Sequence, residues 1–541
     1  MNSKPKAKPP ARRPKAGAKR SSDRHSLVVR QARLGDVPAI AALSRKIYAP
    51  GPWHTQRMVR SQIVSFPDGQ FVAELDGEVV GHCATFRIDE KAALGPHSWD
   101  EITGDGLASR HDDKGDWLYG MEISVDPDHR RLRIGQRLYD ARRILCERLG
   151  IKGIVFGGRM PGYARRQRQY PDAADYLAAV VERRVRDSAI GFHLSNDFEP
   201  LGILTAYDPD DYDSRGYAAH MIWRSPLYVE TSEGATPEED ALATADLVRV
   251  ATVQFQMRQI AKIEEFEAQI EYFVDVAADY RCDFVVFPEL FTLQLLSMEG
   301  KPLPPAEGVA RVAEYTEWYE DFMHGLAMRY NINIIGGSHP SRDDDGDIRN
   351  TAYVFLRDGS IYRQDKIHPT PDEVYWWNIR GGDAVTAIDT DCGPIGVLVC
   401  YDSEFPELAR HLIDQGAMIL FVPFCTDERR GYLRVRYCCQ ARAVENQCYV
   451  VMSGVVGNLP NVENMDIHYA ESCILTPSDL PFARDGVAAD TAPNTEMIAF
   501  ADLKLSDLRV ARSEGSVRNL RDRRFDLYRV VWNRRIETGT K

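Results

Sequence analysis

GPIGVLVCYDSEFPE, residues 393–407, is an apolar, β-branched run that ends at Cys400 and breaks at once into the polar turn Tyr401-Asp402-Ser403. Such a run reads as a buried strand. A thiol at its end stands at a sheet edge, where backbone N–H groups are free to meet a developing oxyanion. Two other strand-like runs end in chemistry: CDFVVFPEL (282–290) leads to Glu289, and GSIYRQDKIHP (359–369) leads to Lys366. One sheet can gather this carboxylate, ammonium and thiol. Together they suit acyl transfer. A thiol titrates near ~8.5 and must be made nucleophilic. Glu289 can take its proton and return it to a leaving amine. Lys366 can hold the oxyanion beside the backbone N–H of Tyr401. Taken singly, each has an ordinary reading as a buried inert Cys, a helix-start Glu or a solvated Lys. The trio in this order carries the signal.

These motifs resemble the nitrilase superfamily of carbon–nitrogen hydrolases over residues 246–531. FPEL supplies the family's Glu as Glu289, DKIHP its Lys as Lys366 and VCYDSEFPE its Cys as Cys400. HPTPDE resembles the loop that brings a second, substrate-positioning glutamate, Glu373. ARAVENQCYVV (441–451) and RDRRFDLY (521–528) resemble the segment after the nucleophile and the closing motif. The resemblance implies a four-layer α-β-β-α sandwich that oligomerises through the helical face following the nucleophile. It also implies hydrolysis of a small-molecule amide without a cofactor or metal. Within the family's range of nitriles, amides and carbamoyl compounds, an amide is the expectation here. The pocket is expected among loops near Glu289, 367–377 and 424–430, which hold Tyr375, Trp376, Trp377, Phe424 and the pair Arg429-Arg430. An arginine there could pair with a substrate carboxylate or simply start a surface helix.

The chain is longer than this unit. Its 541 residues predict about two large or three ordinary domains. Hydrophobic content of 44% and charged content of 27% are those of a soluble globular protein. A net charge of -13 argues against a general polyanion binder, so no nucleic-acid partner is expected. No apolar run approaches the length of a membrane span and no apolar segment follows Met1, so the expectation is a cytoplasmic protein. The ten scattered cysteines suit reduced thiols better than a disulfide framework or a zinc site. Residues 1–25, rich in Lys, Arg, Pro and Ala, read as a solvated basic arm.

A first folded unit is expected over 26–228. LVVRQARLGDVPAIAALSRKIY reads as a strand and a helix capped at Asp36. Asp76-Gly77 marks a hairpin. A strand then feeds the basic turn of VDPDHRRLRIGQRL (125–138), which opens a long helix near Gly135. A helix start with basic residues is a phosphate-binding device. This order of elements resembles the GNAT family of acetyl-CoA-dependent N-acyltransferases over residues 27–225, with a mixed sheet and flanking helices. The resemblance implies acetyl-CoA held by Arg130, Arg131, Arg133, Ile134 and Gly135, and an amine acceptor of unknown identity. Arg133 stands where the family has its first Gly. In FHLSNDF (192–198), His193 stands for the usual Tyr general acid and Asp197 for a Gly. Glu122 is the candidate base.

The acidic, Gly/Pro-containing stretch 229–245 reads as a linker. It has too few apolar residues to weld two cores, so the units 26–228 and 246–541 are expected to fold separately. Three whole-chain readings remain open: an amidase with an acetylating GNAT unit, an amidase with a non-catalytic GNAT regulator, and a non-catalytic assembly protein.

Overall fold

The computed structural model describes residues 25–48, 54–226, 228 and 246–532, apart from 461, 464 and 466. The basic arm up to residue 24 and the linker 229–245 lie outside the described residues.

The N-terminal unit is built on one sheet of seven strands: β1 (Leu27–Gln31), β2 (Gln70–Leu75), β3 (Glu78–Ile88), β4 (Trp117–Val125), β5 (Gly153–Arg159), β6 (Glu199–Leu204) and β7 (Ala218–Arg224). They run in the order β1-β2-β3-β4-β5-β7-β6. Asp76 and Gly77 join β2 to β3 with φ of 52° and 86°, both left-handed, as a two-residue turn matched to strand twist requires. β4 and β5 are parallel and pair only over Trp117–Tyr119 with Gly153–Val155. Beyond that, β4 keeps β3 and β5 keeps β7, so the middle of the sheet forks. The helix after Gly35 begins at Val37, but Asp36 is not its cap. The Asp36 carboxylate instead takes two hydrogen bonds from Arg30 and one from the Arg33 N–H.

The C-terminal unit carries β8 (Leu247–Met257), β9 (Phe284–Val286), β10 (Asn333–Arg342), β11 (Ile348–Phe355), β12 (Ile361–Asp365), β13 (Ile379–Arg380), β14 (Ile395–Val397), β15 (Ile419–Phe424), β16 (Tyr449–Gly457), β17 (Cys473–Leu475), β18 (Val487–Asp490) and β19 (Met497–Lys504). One layer runs β12-β11-β10-β9-β8 and the other β16-β15-β14, joined where the last residues of β8 meet those of β16. Alternation along the strands builds the layers. Val248, Val250, Phe284 and Val286 face the other sheet, where Phe284 meets Phe421. Ala251, Val253, Phe255 and Val285 face the outer helices. The helix Ile263–Asp279 closes that side with Phe266, Ile270, Phe273, Val274 and Ala277 on one stripe. On the opposite side, Leu408 and Leu412 of Pro406–Asp414 and Val435 and Cys439 of Arg429–Asn446 cover the second sheet. The result is the expected α-β-β-α order. Residues 385–389, whose sequence reads as a strand, form only a single bridge, Ile388 to Ile395. Residues 308–330 read from sequence as one helix, which a 3₁₀ turn at Ala313–Tyr315 breaks in two.

The two units are in contact. Met328 of the helix Thr316–Tyr330 is buried in a cluster with Leu27, Ile134 and Leu138 of the N-terminal unit.

One backbone device positions the site. The pairing of β10 with β11 shifts register between Ile335 and Ser338. Gly337 there has φ of 65°, and a Cβ on it would lie 1.9 Å from the Pro288 carbonyl oxygen. The bulge lets the end of β9 approach, and the Leu290 N–H bonds to the Ser338 carbonyl at 3.1 Å. We expect Gly337→Ala to lower the unfolding free energy of the C-terminal unit by about 2–4 kcal/mol. Denaturant titration of the full chain measures this. A loss under ~0.5 kcal/mol, the range of an ordinary surface change, would show that the close approach is not required.

Candidate active site

Four segments meet at one end of the sandwich. Glu289 follows β9, Lys366 follows β12, Cys400 follows β14, and Glu373 sits in the short helix Pro371–Tyr375. Lys366 Nζ donates to Glu289 Oε1 at 2.8 Å and to Glu373 Oε2 at 2.6 Å, and all three side chains are at most 5% exposed. Asn350 of β11 closes the ring from the other side. Its Nδ2 donates to Glu289 Oε1 at 2.9 Å and to Glu373 Oε1 at 2.8 Å. The Cys425 N–H donates to Glu289 Oε2 at 2.9 Å, and the Thr370 N–H to Glu373 Oε2 at 2.7 Å within a capping box.

The backbone at Cys400 is strained. Cys400 has φ of 47° and opens a 3₁₀ turn, so the N–H groups of Tyr401 and its neighbours begin a helix, where donors lack intrahelical partners. Leu290, directly after Glu289, is also left-handed, with φ of 54°. Such conformations cost on the order of 1–3 kcal/mol each and persist where packing over-determines them. Here Ser403 Oγ donates to the Cys400 carbonyl at 2.6 Å. Asp402 accepts from the Ile367 and His368 N–H groups at 2.9 and 2.8 Å, clasping the Cys400 turn to the residues after Lys366.

Burial and charge set the protons. Desolvation pushes the Glu289 carboxyl above the usual glutamate range; Lys366 opposes this and the Glu373 charge adds to it. Burial pushes Glu373 the same way, but Lys366, the Thr370 N–H and Asn350 outweigh it and hold that carboxylate below the usual range. Burial pulls the Lys366 ammonium down, and its two carboxylates more than reverse this. Burial and then the Glu289 charge raise the Cys400 thiol. Cys400 therefore keeps its proton; its Sγ donates to the Cys425 carbonyl at 3.7 Å, next to the Cys425 N–H that bonds Glu289.

Asn350, Asp402 and the Cys425 N–H were not among the sequence candidates. The available signal for Asn350 was a polar residue in the apolar strand RNTAYVF. Phe424 is buried in the core against Tyr432. Arg429 and Arg430 start a surface helix, with Arg430 81% exposed and paired to Glu428. Tyr375 and Trp376 stand exposed beyond Glu373.

In the N-terminal unit the basic turn precedes the helix Ile134–Arg148, whose first residue has no side-chain cap. Arg130 and Arg131 are exposed at its start. That donor set fits a pyrophosphate, and the fork between β4 and β5 lies beside it. Arg133 does not join it. At φ 49° it turns its guanidinium over the Tyr330 ring, 5.3 Å from the centroid, and toward Asp279 at 3.8 Å. The Ile134 side chain is buried, so only its N–H can serve. Gly135 is required by packing, since a Cβ there would lie 2.6 Å from Phe192. Glu122 lies on the forked half of β4; it accepts from Tyr48 Oη at 2.7 Å and lies 3.5 Å from His54 Nε2. His193 is ill placed for an acid. It is buried against Phe156, takes part in a 2.7 Å hydrogen bond with Tyr139 Oη, and burial pulls its pKa down to about 3. It is therefore a neutral core residue.

Comparison with known proteins agrees with both halves. The carbon–nitrogen hydrolase family profile matches residues 249–513, and the acetyltransferase (GNAT) family profile matches residues 39–170. A probable hydrolase of Bacillus subtilis, YhcX, is 45% identical over 513 residues, covering 94% of this chain and 98% of the relative. An uncharacterized N-acetyltransferase of the same organism, YkwB, is 26% identical over 38% of this chain and 92% of its own length. The omega-amidase NIT3 of Saccharomyces cerevisiae is 30% identical over 39% of this chain and 71% of its own length. No helix among the described residues is long and apolar enough to cross a membrane. With Glu289, Lys366 and Cys400 set in its motifs and a near full-length relative of the same build, the chain belongs to the carbon–nitrogen hydrolases of the nitrilase superfamily, amidase-like, with a GNAT-family unit at its N-terminal side.

Proposed function

We propose that the C-terminal unit cleaves a small amide through a thioester on Cys400. The observation that carries this reading is the buried ring of Glu289, Lys366, Glu373 and Asn350 beside the thiol. Glu289 takes the Cys400 proton as sulfur attacks the amide carbonyl. Lys366 and the Tyr401 N–H hold the oxyanion. Collapse breaks the C–N bond, and Glu289 returns its proton to the leaving amine. Water then attacks the thioester with Glu289 again as base, releasing the acid and restoring the thiol. Glu373 and Asn350 hold Lys366 and Glu289 in place and orient the substrate. Amidase-named relatives favour an amide over a nitrile.

In the N-terminal unit we propose an acetyl-CoA site formed by Arg130, Arg131 and the N–H groups of Ile134 and Gly135. Bound acetyl-CoA would supply an activated acetyl group. Glu122, held by Tyr48, accepts a proton from an incoming amine whose identity is open. The same reading places the chain in the cytoplasm, as an oligomer joined through the helices after the nucleophile.

Three measurements test this. Ammonia release over an amide panel should vanish in Cys400→Ala and fall by roughly 10²–10⁴ in Glu289→Gln. Wild-type turnover in either purified variant would refute the role. Because a raised Glu289 must be ionised to act, kcat/KM should rise with pH through an inflection above the usual glutamate range. Glu373→Gln removes a charge that raises Glu289, so that inflection should move to lower pH in the residual activity. An inflection that stays put or moves up would contradict the coupling. Finally, titration calorimetry of the full chain should show acetyl-CoA binding that Arg130→Ala weakens without changing amide hydrolysis. Equal binding by both proteins would remove the turn from the site.

A further inference from the structure

Arg137 belongs to the N-terminal unit but spends its guanidinium on the C-terminal one. It lies in the first turns of the helix Ile134–Arg148 and is only 7% exposed. Its Nη1 donates to the Arg357 carbonyl at 2.6 Å and its Nη2 to the Met328 carbonyl at 2.8 Å. Arg357 stands in the turn that joins β11 to β12. The start of β1 grips the same turn. The Leu27 N–H donates to the Asp358 carbonyl at 3.1 Å, and Ser26 Oγ to the same oxygen at 3.3 Å. The approach is so close that a Cβ on Gly359 would lie 2.5 Å from the His25 carbonyl oxygen.

Both arms of this hairpin end in the active site. β11 carries Asn350, β12 runs into Lys366, and the Lys366 N–H donates to the Asn350 carbonyl at 2.8 Å. Five residue pairs, Thr351–Asp365 to Phe355–Ile361, link the gripped turn to the catalytic end. That is ~17 Å of hydrogen-bonded ribbon. Along this ribbon a displaced turn would carry Lys366 and Asn350 together, while Glu289 is held separately by the Cys425 N–H.

Two further side chains face the same way. Arg133 and Asp197 occupy positions that the GNAT resemblance assigns to glycine, and both keep a left-handed backbone, with φ of 49° and 58°. Both turn their charge to the hydrolase. Arg133 covers Tyr330, and Asp197 pairs with Arg281, which also donates to the Ser195 carbonyl.

We propose that Arg137 is a positioning residue of the hydrolase, contributed by the GNAT unit: by holding the β11–β12 turn it sets the reach of Lys366 and Asn350 toward Glu289. This rests on the reading of Cys400, Glu289 and Lys366 as the catalytic set. The test uses the full chain carrying Arg137→Ala or Arg137→Met, with Arg137→Lys as the conservative variant. Arg281→Ala is the control, since it breaks a contact between the units away from the hairpin. Cys400 alkylation by iodoacetamide, followed by mass spectrometry, needs no identified substrate; kcat and KM on a primary amide, hydrogen exchange over 348–366 and the thermal midpoint complete the set.

We expect Arg137→Ala and Arg137→Met to slow both alkylation and kcat by about 10–100-fold, the scale of a misplaced catalytic group. KM should stay near wild type, exchange over 348–366 should rise, Arg137→Lys should recover part of the loss, and Arg281→Ala should behave as wild type. The proposal is overturned if a folded Arg137 variant alkylates and turns over at the wild-type rate. It is equally overturned if Arg281→Ala loses as much, or if neither Arg137→Ala nor Arg137→Met folds, since the contact would then serve stability alone. Undiminished turnover in Cys400→Ala would instead sink the active-site reading. Cys400-dependent turnover indifferent to Arg137 sinks only this proposal.

Discussion

Two buried carboxylates share one buried ammonium, and the rest of the C-terminal unit is arranged to make that tolerable. Each ion taken out of water costs several kcal/mol even after relaxation, and attraction offsets this only when the remaining hydrogen-bonding capacity is filled. Glu289 and Glu373 each accept three hydrogen bonds: both take one from Lys366 and one from Asn350, with the third from Cys425 N–H or Thr370 N–H. The donors come from separate segments, so none of the segments can shift alone. The left-handed Gly337, the Asp402 clasp and the Thr370 capping box read as consequences of that constraint. Each fixes one segment of the ring at its required height.

The ring also supplies the charge balance that the proposed attack by a buried thiol requires. With both carboxylates ionised, the ring carries one negative charge more than Lys366 can balance. Glu373 sits in the first turn of a helix, where negative charge is favoured. Glu289 faces the thiol instead, and desolvation makes it the better proton acceptor of the pair. In the proposed reaction, moving the Cys400 proton to Glu289 relocates the excess charge from the ring to sulfur and leaves Lys366 beside it. The charge then passes to the carbonyl oxygen as the bond to sulfur forms, within reach of the same ammonium.

What the sequence disclosed follows from how local each feature is. Cys400, Glu289 and Lys366 each close a strand run and could be read from a dozen residues. The Asp76-Gly77 hairpin and the long helix after the basic turn were equally local. Asn350 was not legible, because its task depends on β11 lying between β10 and β12, and no neighbour in sequence reveals that. The helix break at Ala313–Tyr315 and the loss of a strand at 385–389 were hidden for a related reason: packing, not propensity, decided them. Phe424 points into the core and Arg429 takes the surface-helix alternative, because a segment near the site in sequence can still turn away from it. His193 was assigned by its position in a motif, whereas its burial among Tyr139, Phe156 and Phe192 was visible only once the helices were packed.

The relation between the two units was the least legible, and its logic is conformational. A glycine would take the backbone of residues 133 and 197 at little cost. Arginine and aspartate adopt the left-handed region less readily. That cost has no return inside the N-terminal unit, since neither side chain is spent there on the phosphate turn or the fork of the sheet. The return comes from Tyr330, Asp279 and Arg281 of the other unit. Separately folded, the N-terminal unit would keep the strain and lose its compensation. Arg137 would then expose the two Nη groups that donate to carbonyls of the hydrolase. The linker is too polar to join the cores, but these contacts make each unit part of the other's environment. The basic turn proposed to hold a phosphate leads into the helix end whose Arg137 grips the hairpin of Lys366. A ligand that repositioned that end would therefore act on the hydrolase through the same few atoms.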